Sequence, residues 1–168
     1  PRSWCALLGL STDSPTGALV WQSAQTATTL AGMREQIRAA DAERADKRAA
    51  INHLGMADNW GVFDAEAGLD AAALAGPEAT IIDLSGLADE PMNAVARGIA
   101  ESLYQARVRE DIDRLPWLLL DEAHTFFEGV AQSALETILT RGRAPGVSTV
   151  LVTQRPSAVP DVGISQSD

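Results

Sequence analysis

The chain has a single cysteine, Cys5, among its 168 residues. That excludes an internal disulfide and any cysteine-based metal cluster. Cys5 reads as a small buried hydrophobe, and a reducing cytoplasm is the expected compartment. Lysine is almost missing too, since Lys47 is the only one. With a formal net charge of −10, the surface repels nucleic acid on average, so any DNA contact has to be local or made by other parts of the protein. The two histidines, His53 and His124, lie far apart in sequence and have no cysteine partners, which argues against a zinc site. His53 reads as a helix-surface residue and His124 as a turn residue. No apolar run reaches the ~18 residues a membrane span needs, and no basic leader followed by an apolar segment opens the chain. Finally, Gly-Lys-Ser and Gly-Lys-Thr are both missing. The phosphate-binding loop G-x-x-x-x-G-K-[ST], whose backbone N–H groups and Lys hold the phosphates, is therefore not in this stretch.

What is present is enough for a real core. Hydrophobic residues make up 46% of the chain, and a chain of roughly 150 residues buries ~70% of its unfolded surface. The expectation is one domain over 1–168, with a helical insertion or lid at about 25–78 and a core part at about 79–168. Trp4 to Leu10 is a short apolar run closed by the turn cluster Ser11 to Gly17, and reads as a strand. Ala18 to Gln22 is a second short strand or the approach to a helix. From Thr26 to Met56 apolar residues recur at helical spacing around a charged middle, predicting one long helix or two with a break.

The later part has a clearer rhythm. Ala79 to Gly86, Pro116 to Glu122 and Val147 to Gln154 are apolar runs rich in branched residues, which read as buried strands of a parallel sheet. Between them lie a helix from Asp89 to about Arg109, with Asp89 as cap, Pro91 in the first turn and Val95, Ile99, Leu103 and Val108 on its inner face, and a helix from about Gln132 to Arg143. Strand–helix alternation predicts an α/β fold with a mostly parallel sheet. Each predicted strand ends in polar groups: Asp83 and Ser85, then Asp121 and Glu122, then Thr153 and Gln154. In open parallel sheets ligands bind at the carboxyl ends of the strands, so these side chains are expected to converge on one crevice.

Leu118-Leu119-Leu120-Asp121-Glu122 has the layout of a Walker B motif. Its Asp suits Mg²⁺, which prefers oxygen ligands and keeps several waters. Its Glu suits the orientation or deprotonation of a water that attacks a γ-phosphate. The alternative is a strand that happens to end in a charged turn.

Downstream, Ile138 to Val147 contains Arg141, Gly142 and Arg143, and leads into Val150-Leu151-Val152-Thr153-Gln154-Arg155-Pro156. Together with Asp121 to Phe127 and the Ile164-Ser165-Gln166 step, this resembles the HerA-like and FtsK-like DNA-translocating P-loop ATPases, with HerA as the nearer type, from about Thr80 to Asp168. The resemblance implies a RecA-like three-layer fold, present here in part and carrying a helical insertion. It also implies roles: Asp121 with Mg²⁺, Glu122 as catalytic base, Gln154 as γ-phosphate sensor, Thr153 and Asp83 near the nucleotide. Arg141, Arg143 and Arg155 are implied to stabilise charge at a neighbouring subunit's ATP. The implied cofactors are ATP and Mg²⁺. The implied partners are further copies in a ring, which would be a hexamer, together with DNA and a nuclease. Conjugation- or secretion-type ATPases share the pattern. Asp-Glu-Ala-His also marks DEAH-box RNA helicases, but their Ser-Ala-Thr step on the next strand is replaced here by Thr-Gln-Arg-Pro.

The departure from the family is the phosphate loop. In this family it precedes the matched region, so it is expected upstream of residue 1, the chain being a fragment. The alternative is a degenerate, non-catalytic assembly module. On either account this chain alone is not expected to hydrolyse ATP.

Overall fold

A computed structural model describes residues 2–64, 69–161 and 163. The chain divides into two compact units, Pro1–Gly68 and Leu69–Asp168.

The first unit is helical: α1 Arg2–Leu7, α2 Pro15–Thr26, α3 Leu30–Ala39 and α4 Arg44–Asp58. This overturns the strand expected at Trp4–Leu10, most of which is α1, and the strand alternative at Ala18–Gln22, which lies inside α2. A short apolar run does not distinguish strand from helix by composition. The deciding signal is local. Ser14 caps α2 by accepting the Gly17 N–H at 3.0 Å, and Pro15 at the first helical position has φ already set for a helix. The 26–56 stretch is two helices, with the break at 40–43. Thr29 caps the first of them by accepting the Gly32 N–H at 3.1 Å. Met33, Ile37, Ala50 and Leu54 bury their side chains against Cys5, Leu19 and Val20 in one core. Burial raises the Cys5 thiol pKa, which keeps it protonated. Arg34 ties α3 to α4, bonding Asp58 at 2.8 Å and the Leu54 carbonyl at 3.1 Å.

The second unit runs α5 Ala71–Leu74, α6 Asp89–Val108, β1 Trp117–Leu120, α7 Gln132–Arg141 and β2 Ser148–Leu151. β1 and β2 pair in parallel, with Leu118 opposite Thr149 and Leu120 opposite Leu151. This is the β–α–β step that the alternation predicted, and the architecture is mixed helical with a small parallel sheet. One face of the sheet is packed. Leu118, Leu120 and Leu151 meet Ala96 and Ala100 of α6 and Leu135 and Ile138 of α7. The other face is open, with Trp117 68% and Leu119 66% exposed. An apolar sheet face left open is unusual, because parallel sheets are ordinarily covered on both sides.

The helix start at Asp89 is one residue off. Ala88 is the cap residue and makes no side-chain bond, while Asp89 and Glu90 lie in the first turn, where they favour the positive end of the helix dipole. Ile99 and Leu103 are buried as expected, but Val108 is half-exposed. Five residues on from Leu103 is well past one turn, and Ala106, three residues on, takes the inward place.

The expected buried strand at 79–86 is not one. Residues 79–84 have no regular secondary structure and join no strand ladder, and Ile81 is 91% exposed. Only Ile82 and Leu84, on alternate positions, pack inward, Ile82 against the cluster of Ile99, Leu103 and Ile112, and Leu84 against that of Leu120 and Leu135. With no ladder to satisfy its backbone, the segment leaves its outward residues in water. Among the described residues, no helix is long and apolar enough to cross a membrane.

Candidate functional site

The site is built where β1 and β2 end. The ladder carries on past both strands through two backbone bonds: the Val152 N–H donates to the Leu120 carbonyl and the Ala123 N–H to the Val152 carbonyl, both at 2.9 Å. These fix the residues on either side of them, Asp121 and Glu122 on one chain segment, Thr153 and Gln154 on the other. The backbone then turns sharply. Glu122 is in the left-handed region, φ 47° and ψ 44°, and begins a short 3₁₀ turn, Ala123–Phe126. A non-glycine residue seldom adopts this conformation and holds it only where its surroundings fix it. Here they do. The Glu122 N–H donates to Asp121 Oδ1 at 3.0 Å, and the Thr125 hydroxyl donates to the Glu122 carbonyl at 3.0 Å. Ala123 and Phe126, on either side of the turn, are buried.

The turn sends the Glu122 side chain across to the neighbouring strand. Gln154 Nε2 donates to Glu122 Oε1 at 2.7 Å. The other oxygen, Oε2, lies 3.4 Å from His124 Nδ1, and the same ring nitrogen is 3.1 Å from Thr153 Oγ1. The carboxylate remains 44% exposed. It is oriented by its own chain and still open to a ligand or water, which is the arrangement a general base requires.

Of the residues expected from sequence, Asp121, Glu122, Thr153 and Gln154 stand together. Arg155 follows at the same edge, its backbone N–H donating to Thr153 Oγ1 at 3.0 Å and its side chain exposed. Asp83 is not joined to them by any bond. Its carboxylate instead accepts the Ser85 N–H at 2.9 Å. Bonds from the Ser85 hydroxyl and then from its backbone hold the Asp83 pKa below the ordinary carboxylate value, so this carboxylate closes a local turn. Arg141 and Arg143 lie at the other end of the sheet. Arg141 ends α7 and Arg143 is in the turn that feeds β2, so β2 itself, a four-residue strand, separates them from Gln154, a length of ~13 Å. Both are exposed, and their side chains make no hydrogen bond or ion pair among the described residues. The Ile164–Gln166 step lies outside the described residues.

Two features were not read from sequence. One is His124, which sits in the site with its side chain only 13% exposed. The other is a polar stripe on α6 that holds the loop beyond the acidic turn. Asn93 Nδ2 donates to the Asp89 carbonyl at 3.0 Å and to the Thr125 carbonyl at 3.4 Å. One turn further along, Arg97 bonds the Val130 carbonyl at 2.8 Å, Ser133 Oγ at 3.1 Å and Glu101 at 2.7 Å. The i, i+4 spacing of Asn93 and Arg97 puts both on one face, and could have flagged the stripe. Gly129 is pressed against it: a Cβ there would lie 2.5 Å from Asn93 Oδ1. Gly129→Ala is therefore expected to destabilise the fold by about 1–3 kcal/mol through overpacking. Urea unfolding checks this, with a lower midpoint at unchanged slope as the expected result.

A groove of about 530 Å³ beside α5 and α6, and one of about 550 Å³ between α3 and α4 of the first unit, are lined by none of the strand-end residues. Among the described residues no group of three or more His, Cys, Asp or Glu is placed to hold a metal. A Mg²⁺ bound through water needs only one or two carboxylates and takes its other oxygens from water and phosphate, and Asp121, exposed at the strand end, meets that need. The phosphate loop G-x-x-x-x-G-K-[ST] is not in this sequence. Compared with protein-family models and with curated proteins, the chain matches none.

Proposed function

We propose that this chain is the acidic-motif and sensor portion of a Mg²⁺-dependent ATPase of the HerA-like type, a RecA-like three-layer domain that acts on DNA as a ring of subunits. The observation that carries the reading is the Glu122–Gln154 hydrogen bond, 2.7 Å, across the ends of two parallel strands beside Asp121. A chance acidic turn has no reason to strain Glu122 into the left-handed region and aim it at the next strand's amide. The open apolar face of the sheet supports the three-layer part of the proposal, because such a face calls for a further layer.

Within this reading Asp121 would hold Mg²⁺ through water, and the ion would supply charge neutralisation at the phosphates. Glu122 takes the proton of the attacking water. Gln154, already bonded to Glu122, keeps that water in line and donates to the phosphate oxygen. Thr153 presents its hydroxyl next to them. Arg141 and Arg143, a strand's length from their own Glu122, are suited to serve a neighbouring subunit's ATP. Charge stabilisation of that kind is worth ~10³ or more in rate. DNA, a nuclease and the further copies of the ring are the partners of this reading. The phosphate loop has to come from another stretch of the protein.

The metal's role has its own test. In the full-length protein, Asp121→Asn is expected to raise the Mg²⁺ concentration giving half-maximal ATP turnover by about 10–100-fold, the usual effect of disturbing a ligand shell. An unchanged Mg²⁺ requirement would remove Asp121 from the metal site.

A further inference from the structure

His124 has no part in the chemistry above, and the structure gives it one. Its ring is enclosed in the turn after β1, and Nδ1 faces two oxygens at once, Thr153 Oγ1 at 3.1 Å and Glu122 Oε2 at 3.4 Å. The Glu122 carboxylate can only accept. A lone pair on Nδ1 would face its negative charge, whereas a proton there serves both oxygens. Thr153 Oγ1 fits the same assignment. It already accepts the Arg155 N–H at 3.0 Å, so an Nδ1–H fills its second lone pair and leaves its own O–H to point away from both donors. The other carboxylate oxygen, Oε1, is taken by Gln154. Glu122 Oε1 is thus held by Gln154 from the neighbouring strand, while Oε2 lies 3.4 Å from His124 Nδ1 of its own turn.

We propose that His124 is a positioning residue: as the Nδ1–H tautomer it fixes the Glu122 carboxylate and ties it to the Thr153 hydroxyl, so that the base and the sensor strand move as one piece. The catalytic part of this proposal rests on the ATPase reading. The tautomer does not.

Two measurements test it together. The sequence has only two histidines, so long-range ¹H–¹⁵N correlation spectra of this chain, with His53→Gln to assign the signals, report the His124 tautomer directly. At about pH 8, above the ordinary imidazole range, the ring is expected to carry its proton on Nδ1; a proton on Nε2 overturns the proposal. The second measurement is ATP turnover by the full-length protein. An Asn side chain places an N–H close to where the Nδ1–H lies, and Phe keeps the ring without the donor. His124→Asn is expected to retain kcat within about threefold. His124→Phe is expected to lose about 10–100-fold in kcat, with KM for ATP unchanged, as for other groups that orient a reacting one. Equal loss in both variants, or none in His124→Phe, overturns the positioning role. If the unmodified protein turns over no ATP, the ATPase reading fails and the tautomer alone decides whether the Nδ1–H tie exists.

Discussion

Glu122→Gln is expected to lower ATP turnover in the full-length protein by about 10²–10⁴-fold, the contribution of a positioned general base. The substitution is nearly isosteric. Its amide oxygen can still accept from His124, and a turned-over Gln154 amide can accept from the new –NH2 with its own oxygen, while the left-handed backbone is fixed by bonds the side chain does not make. Fold and nucleotide affinity should therefore survive while the proton acceptor is lost. Steady-state kinetics reads this as a fall in kcat with KM for ATP nearly unchanged, the sign of a group that acts in the transition state. A variant within about threefold of the original would take Glu122 out of the chemistry.

Gly142→Ala is expected to destabilise the second unit strongly. Gly142 is buried at the end of α7, and its carbonyl accepts the N–H groups of both Gly146 and Val147 at 2.8 Å. An added Cβ would lie 2.4 Å from the Ile138 carbonyl oxygen and 2.6 Å from that of Val147. Those are backbone atoms, so no side-chain rotation relieves the clash. At the Gly129 position, by contrast, Asn93 has a side chain to move. The expected cost is about 3 kcal/mol, the upper end for overpacking. The damage should also reach function, because the Gly142–Val147 turn feeds β2 and through it Thr153 and Gln154. Chemical denaturation measures the loss. A change below about 0.5 kcal/mol, the range of ordinary surface substitutions, would mean that the turn is looser than described.

Much of the second unit was legible because its signals repeat. The apolar runs containing Leu120 and Leu151 are β1 and β2, α6 followed from its Asp89–Pro91 start and inner-face spacing, and α7 lies where a helix is expected between the two strands. Asp121, Glu122, Thr153 and Gln154 could be placed together before any coordinates, since parallel pairing puts strand ends on one edge. What failed did so for physical reasons. The Trp4–Leu10 run is too short for its period to discriminate, and the Ser14–Pro15 helix start beside it was read only as a turn. The 79–84 segment has strand composition, but composition does not supply a pairing partner. Nothing about a glutamate announces a left-handed φ. It is held by local bonds to Asp121 and Thr125 and by the Ala123 N–H bond to Val152 on the neighbouring segment, and with it came the placing of His124 in the site.

The account turns on whether this constellation works on ATP. The direct measurement is ATP hydrolysis by the full-length protein, with a Gly-x-x-x-x-Gly-Lys-Ser/Thr loop in the same chain, in Mg²⁺ with and without duplex DNA. The prediction is Mg²⁺-dependent turnover that rises when DNA is added. A folded protein that carries its own phosphate loop yet hydrolyses no ATP under either condition would contradict the account and leave a non-catalytic assembly module in its place.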